Sequence, residues 1–296
     1  MDYDIVIIGG GSAGYAAART AEQANARVAI VDHGPLGGLC ILRGCMPTKT
    51  ILRSSDIMAL QQRSREFGLL PVQAKADLAA INDRKNRIIG EFTQYRIEQL
   101  KNPGFTLYED AATFISPHEV KVGYHTLRAK NFIIATGSKI TEFPVPGLKE
   151  AGSLTSDDVL EMREAPESLI VLGAGPVAVE LAQFFSRIGV KVSLVQRSHQ
   201  ILSGGDEDLA RVVETRLREE GMDVYTGTQL LGVTQEGNHR VLKFLHEYLQ
   251  KNLFFHLSKD RTWFRKHLLF HHLSQNKHSS SAHCGSRRCT LYKALL

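Results

Sequence analysis

The sequence predicts an α/β fold, with two parallel β-sheets and a small antiparallel ribbon between them. Two short apolar runs, residues 4–8 and 168–172, each lead into a glycine-rich turn and then a helical pattern. Apolar runs without polar alternation are typical of strands buried on both faces of a parallel sheet. Between the two units, residues 105–131 contain short alternating runs, which favour antiparallel strands.

The first unit contains every part of a dinucleotide-binding motif. Residues 9–14 follow the pattern GxGxxG, a helix is predicted from Tyr15 to about residue 24, and a second strand over 27–31 ends in Asp32. Glycine lets the backbone approach a pyrophosphate, and a helix N-terminus favours negative charge. Asp32 can accept hydrogen bonds from a ribose. The unit is therefore predicted to bind a dinucleotide.

A second unit of the same kind begins at residue 168. Its turn carries Gly173 and Gly175, with Ala178 at the third glycine position, which this motif allows. The next strand, predicted over residues 191–195, leads into Gln196 and Arg197. An acidic residue at 196 would favour NAD, whereas Arg197 can form a bidentate contact with the 2′-phosphate of NADP. The alternative, that Arg197 is a solvated surface charge, stays open.

Between these units, residues 37–49 set Cys40 and Cys45 five positions apart in the run GGLCILRGCMPTK. On a regular helix this spacing is about 7.5 Å along the axis. A disulfide tolerates only about 4.4–6.8 Å between Cα atoms. The turn must therefore be distorted, and Gly44 and Pro47 permit a distortion.

Residues 37–49 resemble the redox-active segment of the class I pyridine nucleotide-disulfide oxidoreductases, the family of dihydrolipoamide dehydrogenase, glutathione reductase and mercuric reductase. The resemblance implies two nested Rossmann-like domains, the first for FAD and the second for NADP or NAD. It implies that NAD(P)H reduces FAD, and that Cys45 lies against the flavin while Cys40 is the interchange thiol. It also implies an ion pair between Lys49 and Glu180 beside the flavin.

The site residues implied by the resemblance form three sets, and no metal ligand is among them. The catalytic set is Cys40, Cys45, Lys49 and Glu180. The flavin set is Gly9, Gly11, Ser12, Gly14, Asp32, Gly38, Lys49, Ala112, Thr136 and Gly137, the last two in the turn after a strand predicted to be buried at residues 131–138. The nicotinamide nucleotide set is Gly173, Gly175, Ala178, Glu180, Gln196 and Arg197.

Composition changes abruptly near the end of the chain. Residues 238–296 hold 8 of the 12 histidines, one of the 25 glycines, and 11 Lys and Arg against 2 Asp and Glu. We therefore expect an FAD domain over residues 1–146, an incomplete NAD(P) domain over 147–240, and an aberrant or disordered basic, His-rich tail over 241–296. A frameshift or truncation accounts for such a tail, because the dimerisation domain and the His-Glu pair that the resemblance implies are not recognisable.

Two other interpretations of the tail stay open. One is a basic amphipathic helix, because a leucine stripe recurs at helical spacing. Its members are Leu242, Leu245, Leu249, Leu253 and Leu257. The other is a metal site or a C-terminal dithiol relay. Its candidate residues are His271, His272, His278, His283, Cys284 and Cys289.

The sequence indicates a soluble cytoplasmic oxidoreductase without a nucleic-acid or membrane partner. Outside the tail the chain is mildly acidic, no apolar run reaches the roughly 20 residues that span a bilayer, and four cysteines are too few for a disulfide scaffold. The resemblance implies a small disulfide or a mercuric-ion substrate and a homodimer. No histidine has the family's context, and this absence affects exchange with a disulfide more than reduction of a metal ion. The competing hypothesis is a non-catalytic nucleotide-binding fragment or interaction protein.

Overall fold

A six-stranded sheet forms the first half of the molecule. The computed structural model describes residues 1–101, 104–141, 144–236, 239–247, 249–256, 268–270 and 273–274. The elements of this half are β1 (Tyr3–Ile8), α1 (Ser12–Gln23), β2 (Val28–Val31), α2 (Gly38–Leu42), α3 (Cys45–Gln62), a 3-10 turn (Ser64–Phe67), α4 (Leu78–Leu100), β3 (Thr106–Tyr108), β4 (Ala112–Ser116), β5 (Glu119–Val122) and β6 (His125–Ile134). The strand order is β3-β2-β1-β6-β5-β4.

Strand β6 joins the parallel and antiparallel parts of this sheet. It pairs in parallel with β1, and its first residues pair antiparallel with β5. Strand β5 in turn pairs antiparallel with β4, which completes the predicted ribbon. Alternate residues of the parallel strands fill two cores, one containing Val6 and Val31 and the other containing Ile7 and Ile30.

The second half contains a parallel sheet and a three-stranded antiparallel sheet. Its elements are β7 (Lys139–Ile140), β8 (Leu154–Thr155), α5 (Ser156–Leu160), β9 (Ser168–Leu172), α6 (Pro176–Arg187), β10 (Lys191–Val195), α7 (Glu207–Glu219), β11 (Asp223–Tyr225), β12 (Gln229–Glu236), β13 (His239–His246), β14 (Leu249–His256), β15 (Leu268–Phe270) and β16 (Leu273–Ser274). The parallel order is β11-β10-β9-β15-β8, and β12-β13-β14 form the antiparallel sheet. Strand β16 pairs with β7.

The parallel sheet of this half is covered on both faces. Leu169 and Val171 of β9 belong to a core that includes residues of α6, whereas Ile170 and Leu172 pack with residues of β12 and β13. The predicted α/β class, with parallel sheets and an antiparallel ribbon, is thus confirmed. Among the described residues, no helix has both the length and the apolar character needed to cross a bilayer.

Two expectations about local structure are wrong. The strand predicted to be buried at residues 131–138 is open at its carboxyl end, where Ile134 is 60% exposed, because β5 pairs only with residues 125–128 of β6 and residues 131–134 pair with β1 on one edge. The described leucines of the stripe do not form a helix, since Leu242 and Leu253 face each other across β13 and β14; Leu257 lies outside the described residues. Strand β13 also spans residue 240, where a domain boundary is predicted. The proposed metal or dithiol residues 271, 272, 278, 283, 284 and 289 lie outside the described residues.

Candidate functional site

Cys40 and Cys45 lie on two consecutive helices separated by a break. Helix α2 ends at Leu42, and α3 begins at Cys45. A Cβ atom on Gly44 would lie 3.0 Å from the carbonyl oxygen of Leu39 and 3.3 Å from Cα of Cys40, so a side chain there would require the neighbouring backbone to shift slightly. The break brings the two free cysteines close enough for the Cys40 side chain to influence the pKa of Cys45. The predicted distortion of this turn is therefore present.

The surroundings of Cys45 set how readily its thiol ionises. Desolvation by the surrounding protein raises the pKa of Cys45, and the hydrogen bond and negative charge of Cys40 raise it further. The positive charge of Lys49 lowers the Cys45 pKa, but the net direction is upward. Since a thiolate is the reactive form of cysteine, Lys49 is the neighbour that favours reactivity.

Lys49 and Glu180 meet as the sequence predicts. Lys49 lies one turn after Cys45 on α3, and its Nζ is 2.6 Å from Oε1 of Glu180 on α6. The ion pair therefore connects the helix that begins at the dithiol with the helix that follows the second glycine turn. Their role at a flavin stays a prediction.

The first glycine turn contacts the dithiol segment directly. A side chain on Gly38 would collide with Cα of Gly11, and Gly38 has a φ of +74°, which glycine tolerates best. Helix α1 begins at Ser12 with no side-chain cap, so the amides of its first turn, which include that of Gly14, remain available to an anion. This cradle of glycine backbone and open amides fits the pyrophosphate of FAD.

Asp32 supports this turn from the end of β2. Its two carboxylate oxygens accept hydrogen bonds from the amides of Gly10 at 2.6 Å and Gly34 at 2.7 Å. The side chain thereby fixes the conformation of the glycine turn. Any contact of Asp32 with a ribose would use its remaining lone pairs.

The other residues of the predicted flavin set are divided between two places. Thr136 lies beside the first turn, because a side chain on Gly9 would collide with Ala135 and would lie 3.2 Å from Cα of Thr136. Gly137 follows with a φ of +74°. Ala112 begins β4 at the edge of the sheet, three strands away from β1.

The second glycine turn repeats the geometry of the first, with an amide in place of the carboxylate. Gln196 is 9% exposed, and its Oε1 accepts a hydrogen bond of 3.2 Å from the amide of Ala174. Helix α6 has Gly175 as its N-cap, without a side-chain cap, and Pro176 follows. Gly173 lies in the turn, and Ala178 is the first buried residue of this helix. The structure therefore places Gln196 inward and leaves Arg197 exposed at the surface.

Sequence reasoning missed a cluster of charges at the far end of the same two helices. Asp56 of α3 lies 2.6 Å from Nη1 of Arg187 of α6, and Arg187 also binds Glu220 at 2.8 Å. The signal was present, because positions 49 and 56 of one helix and 180 and 187 of the other carry opposite charges at equal spacing. Only the packing of the two helices shows that they pair. Among the described residues, no group of His, Cys, Asp and Glu has an arrangement that could hold a metal ion.

Comparison with known proteins gives consistent matches over most of the chain. Residues 3–252 match the model of the family described as pyridine nucleotide-disulphide oxidoreductase. A mercuric reductase of Staphylococcus aureus is 36% identical over 237 residues, which are 80% of this chain and 43% of that protein. A dihydrolipoyl dehydrogenase of Acholeplasma laidlawii is 34% identical over 245 residues, 81% of this chain and 72% of that protein.

A solved structure is similar over a larger part of the chain. The Cu(II) complex of the HOCl-induced flavoprotein disulfide reductase RclA from Escherichia coli superposes with a TM-score of 0.72 and 25% sequence identity. The match covers 92% of this chain and 57% of that one. The chain thus spans less than half the length of the mercuric reductase and just over half that of RclA.

Proposed function

Since the chain belongs to the pyridine nucleotide-disulphide oxidoreductase family, we propose that it transfers electrons from NAD(P)H, through FAD, to the Cys40–Cys45 pair and on to a disulfide or mercuric-ion acceptor. The observation that carries this proposal is the connection of three parts by short contacts. The first glycine turn touches Gly38, Cys45 of the dithiol begins α3, and Lys49 of α3 pairs with Glu180 of α6.

In the proposed mechanism, each part of the chain has a separate task. Bound FAD would supply a redox-active ring able to accept a hydride from NAD(P)H and to deliver two electrons to sulfur. The first glycine turn holds its pyrophosphate, and the second turn holds that of the nicotinamide nucleotide. Lys49 supplies positive charge beside Cys45, which favours the thiolate.

The two sulfurs carry the electrons to the acceptor. Two electrons and two protons convert the Cys40–Cys45 disulfide into two thiols, and oxidation of the pair returns them. A disulfide acceptor takes both electrons and both protons to become two thiols, with Cys40 as the attacking sulfur. Mercuric ion takes the two electrons to become elemental mercury, while the two protons pass to water. The mercuric reductase and dihydrolipoyl dehydrogenase matches favour these two acceptor classes over others.

The surroundings of the second turn favour NADP over NAD. Because Gln196 is buried and bonded to the turn, the next residue, Arg197, is an exposed cation at the end of β10. A guanidinium matches a phosphate dianion better than it matches a ribose hydroxyl.

The proposal is tested by counting thiols after anaerobic reduction. The full chain is loaded with FAD, treated with one equivalent of NADPH and titrated with a thiol reagent. We expect two new thiols for each NADPH oxidised, and none in Cys40→Ser or Cys45→Ser, because neither variant can form the pair. Cys284→Ser is the matched control and should give the same count as the unchanged chain.

Three results would contradict the proposal. Two new thiols in Cys45→Ser would mean that other sulfurs receive the electrons, and their loss in Cys284→Ser would indicate a C-terminal dithiol. If FAD binds but NADPH does not reduce it, the chain is a non-catalytic nucleotide-binding protein.

A further inference from the structure

Helices α3 and α6 are joined by two ion pairs of opposite polarity. Lys49 of α3 meets Glu180 of α6, and seven residues later on each helix Asp56 of α3 meets Arg187 of α6. Seven residues span about 10.5 Å along a helix. Because both pairs follow the same order along the chain, the two helices run in the same direction and are matched in register at two points.

The two pairs differ in how firmly the surrounding structure holds them. The Lys49 side chain is 59% exposed, whereas that of Arg187 is 16% exposed. Exposed ion pairs between flexible side chains are weak, so Lys49 and Glu180 do not fix the position of the helices by themselves. The more buried pair is the better anchor.

Arg187 is oriented by partners in its own half of the molecule. Its Nε and Nη2 donate to the two carboxylate oxygens of Glu220 at 2.9 and 2.8 Å, a bidentate contact. Glu220 also accepts hydrogen bonds from Gln183 at 3.0 Å and Arg216 at 2.8 Å. These contacts orient the guanidinium independently of Asp56, and its remaining Nη1 then points to Asp56.

Charge also disfavours a neighbouring register. A shift of one helical turn toward the start of α3 would set Arg187 beside Arg53 in place of Asp56, since residues three apart share a helix face. The same shift would remove Glu180 from Lys49. Of these two registers, only the observed one satisfies both pairs.

We propose that Arg187 is a positioning residue, which is held by Glu220, binds Asp56 and thereby fixes the register in which Glu180 meets Lys49 beside the dithiol. This inference rests on the proposed role of Lys49 and Glu180. According to this inference, the contacts of Arg187 with Asp56 and Glu220 at the opposite end of the two helices determine where Lys49 and Glu180 meet.

The test measures the contact between Lys49 and Glu180 directly. A zero-length carbodiimide reagent condenses a lysine with a carboxylate only when the two groups touch, and mass spectrometry quantifies the joined peptides. In Asp56→Asn we expect the Lys49–Glu180 product to fall roughly threefold or more, because contacts in one network are coupled. The product between Lys130 and Asp4, which lie 2.7 Å apart in the first half, is the internal standard for folding.

Two variants control for charge and for general stability. Asp83→Asn removes the same charge from another ion pair, Asp83 with Arg163, and should leave the Lys49–Glu180 product unchanged. Asp56→Glu keeps the carboxylate and should restore the product. Arg187→Lys should lower the product, because an ammonium cannot bind Glu220 in a fork and Asp56 at once.

An unchanged Lys49–Glu180 product in Asp56→Asn, with the internal standard intact, would overturn the inference. An equal decrease in Asp83→Asn would also overturn it, since the effect would then be general. The reaction requires neither flavin nor NADPH, so a chain without reductase activity still gives a result. Failure of the proposed function and failure of this inference are therefore distinguished.

Discussion

At the scale of single residues, reactivity at the dithiol depends on a balance around Cys45. Desolvation and the neighbouring Cys40 raise the Cys45 pKa, and Lys49 acts in the opposite direction. Glu180 holds Lys49 through an ion pair of 2.6 Å. The cation at position 49 is thus both a neighbour of the thiol and a link to the second glycine turn.

Replacing Lys49 with methionine removes this positive charge and keeps most of the side-chain volume. We expect the Cys45 pKa to rise, because the thiolate loses its stabilising cation. The measurement is the pH dependence of alkylation of Cys45 in the reduced protein, followed by peptide mass spectrometry. Lys130→Met is the matched control and should leave the Cys45 profile unchanged. A lower or unchanged Cys45 pKa in Lys49→Met would contradict the assignment.

At the scale of elements, local patterns predicted the parallel strands well, and long-range pairing accounts for the failures. Strands β9 and β10 have the predicted bounds because unbroken apolar runs between glycine-rich turns have few alternatives. The leucines at 242 and 253 fit a helical spacing equally well. Their strand conformation is decided by the pairing of β13 with β12 and of β14 with β13, which no local pattern shows.

The break between α2 and α3 is an element boundary set by one residue. Gly44→Ala would place a Cβ atom 3.0 Å from the carbonyl oxygen of Leu39, so the backbone of α2 would have to shift to accommodate it. We expect a loss of about 1–3 kcal/mol in the free energy of unfolding, and slower formation of the Cys40–Cys45 disulfide, because the two helix ends are forced apart. Urea unfolding and the rate of disulfide formation are the measurements.

The matched control for this change is another glycine in a helix. Gly90 lies exposed within α4, and an added Cβ atom would meet nothing within 4 Å. Gly90→Ala should stabilise the protein by about 0.5–1 kcal/mol through the higher helix propensity of alanine. If both alanine variants stabilise the protein, the close approach at Gly44 does not restrict the turn.

At the scale of the whole molecule, polar contacts between helices join the two halves beside a shared apolar core. The buried Lys85 of α4 donates to the carbonyl oxygen of Leu160 at the end of α5 and to Glu161 at 2.9 Å. At the other helix pair, Arg187 reaches Asp56. The glycine turns and the dithiol were predictable because they are local patterns. These contacts were not, since they depend on how one half packs against the other.

The carboxylate of Glu220 makes this assembly sensitive to acid. Burial raises the Glu220 pKa, but the hydrogen bonds from Arg187, Gln183 and Arg216 outweigh burial, so the pKa lies below its ordinary value. A group whose pKa is depressed in the folded state stabilises that state above its unfolded pKa, and the stabilisation is lost as pH falls through the folded pKa. The contribution of Glu220 is therefore complete at pH 7 and declines below about pH 4.3.

Glu220→Gln tests this dependence. At pH 7 we expect the variant to lose about 2 kcal/mol in the free energy of unfolding, because hydrogen bonds to a charged group are replaced by weaker ones. The difference from the unchanged chain should shrink as pH falls below about 4.3. Protonation of Glu220 in the unchanged chain then removes the charge that the glutamine variant lacks at every pH. Glu207→Gln, at an exposed pair with Arg211 on the same helix, should cost about 0.5 kcal/mol or less. Urea unfolding of the three proteins over a pH series gives both quantities, and a Glu220→Gln deficit that stays constant down to the acid limit would mean that the carboxylate is not what holds the α6 and α7 ends together.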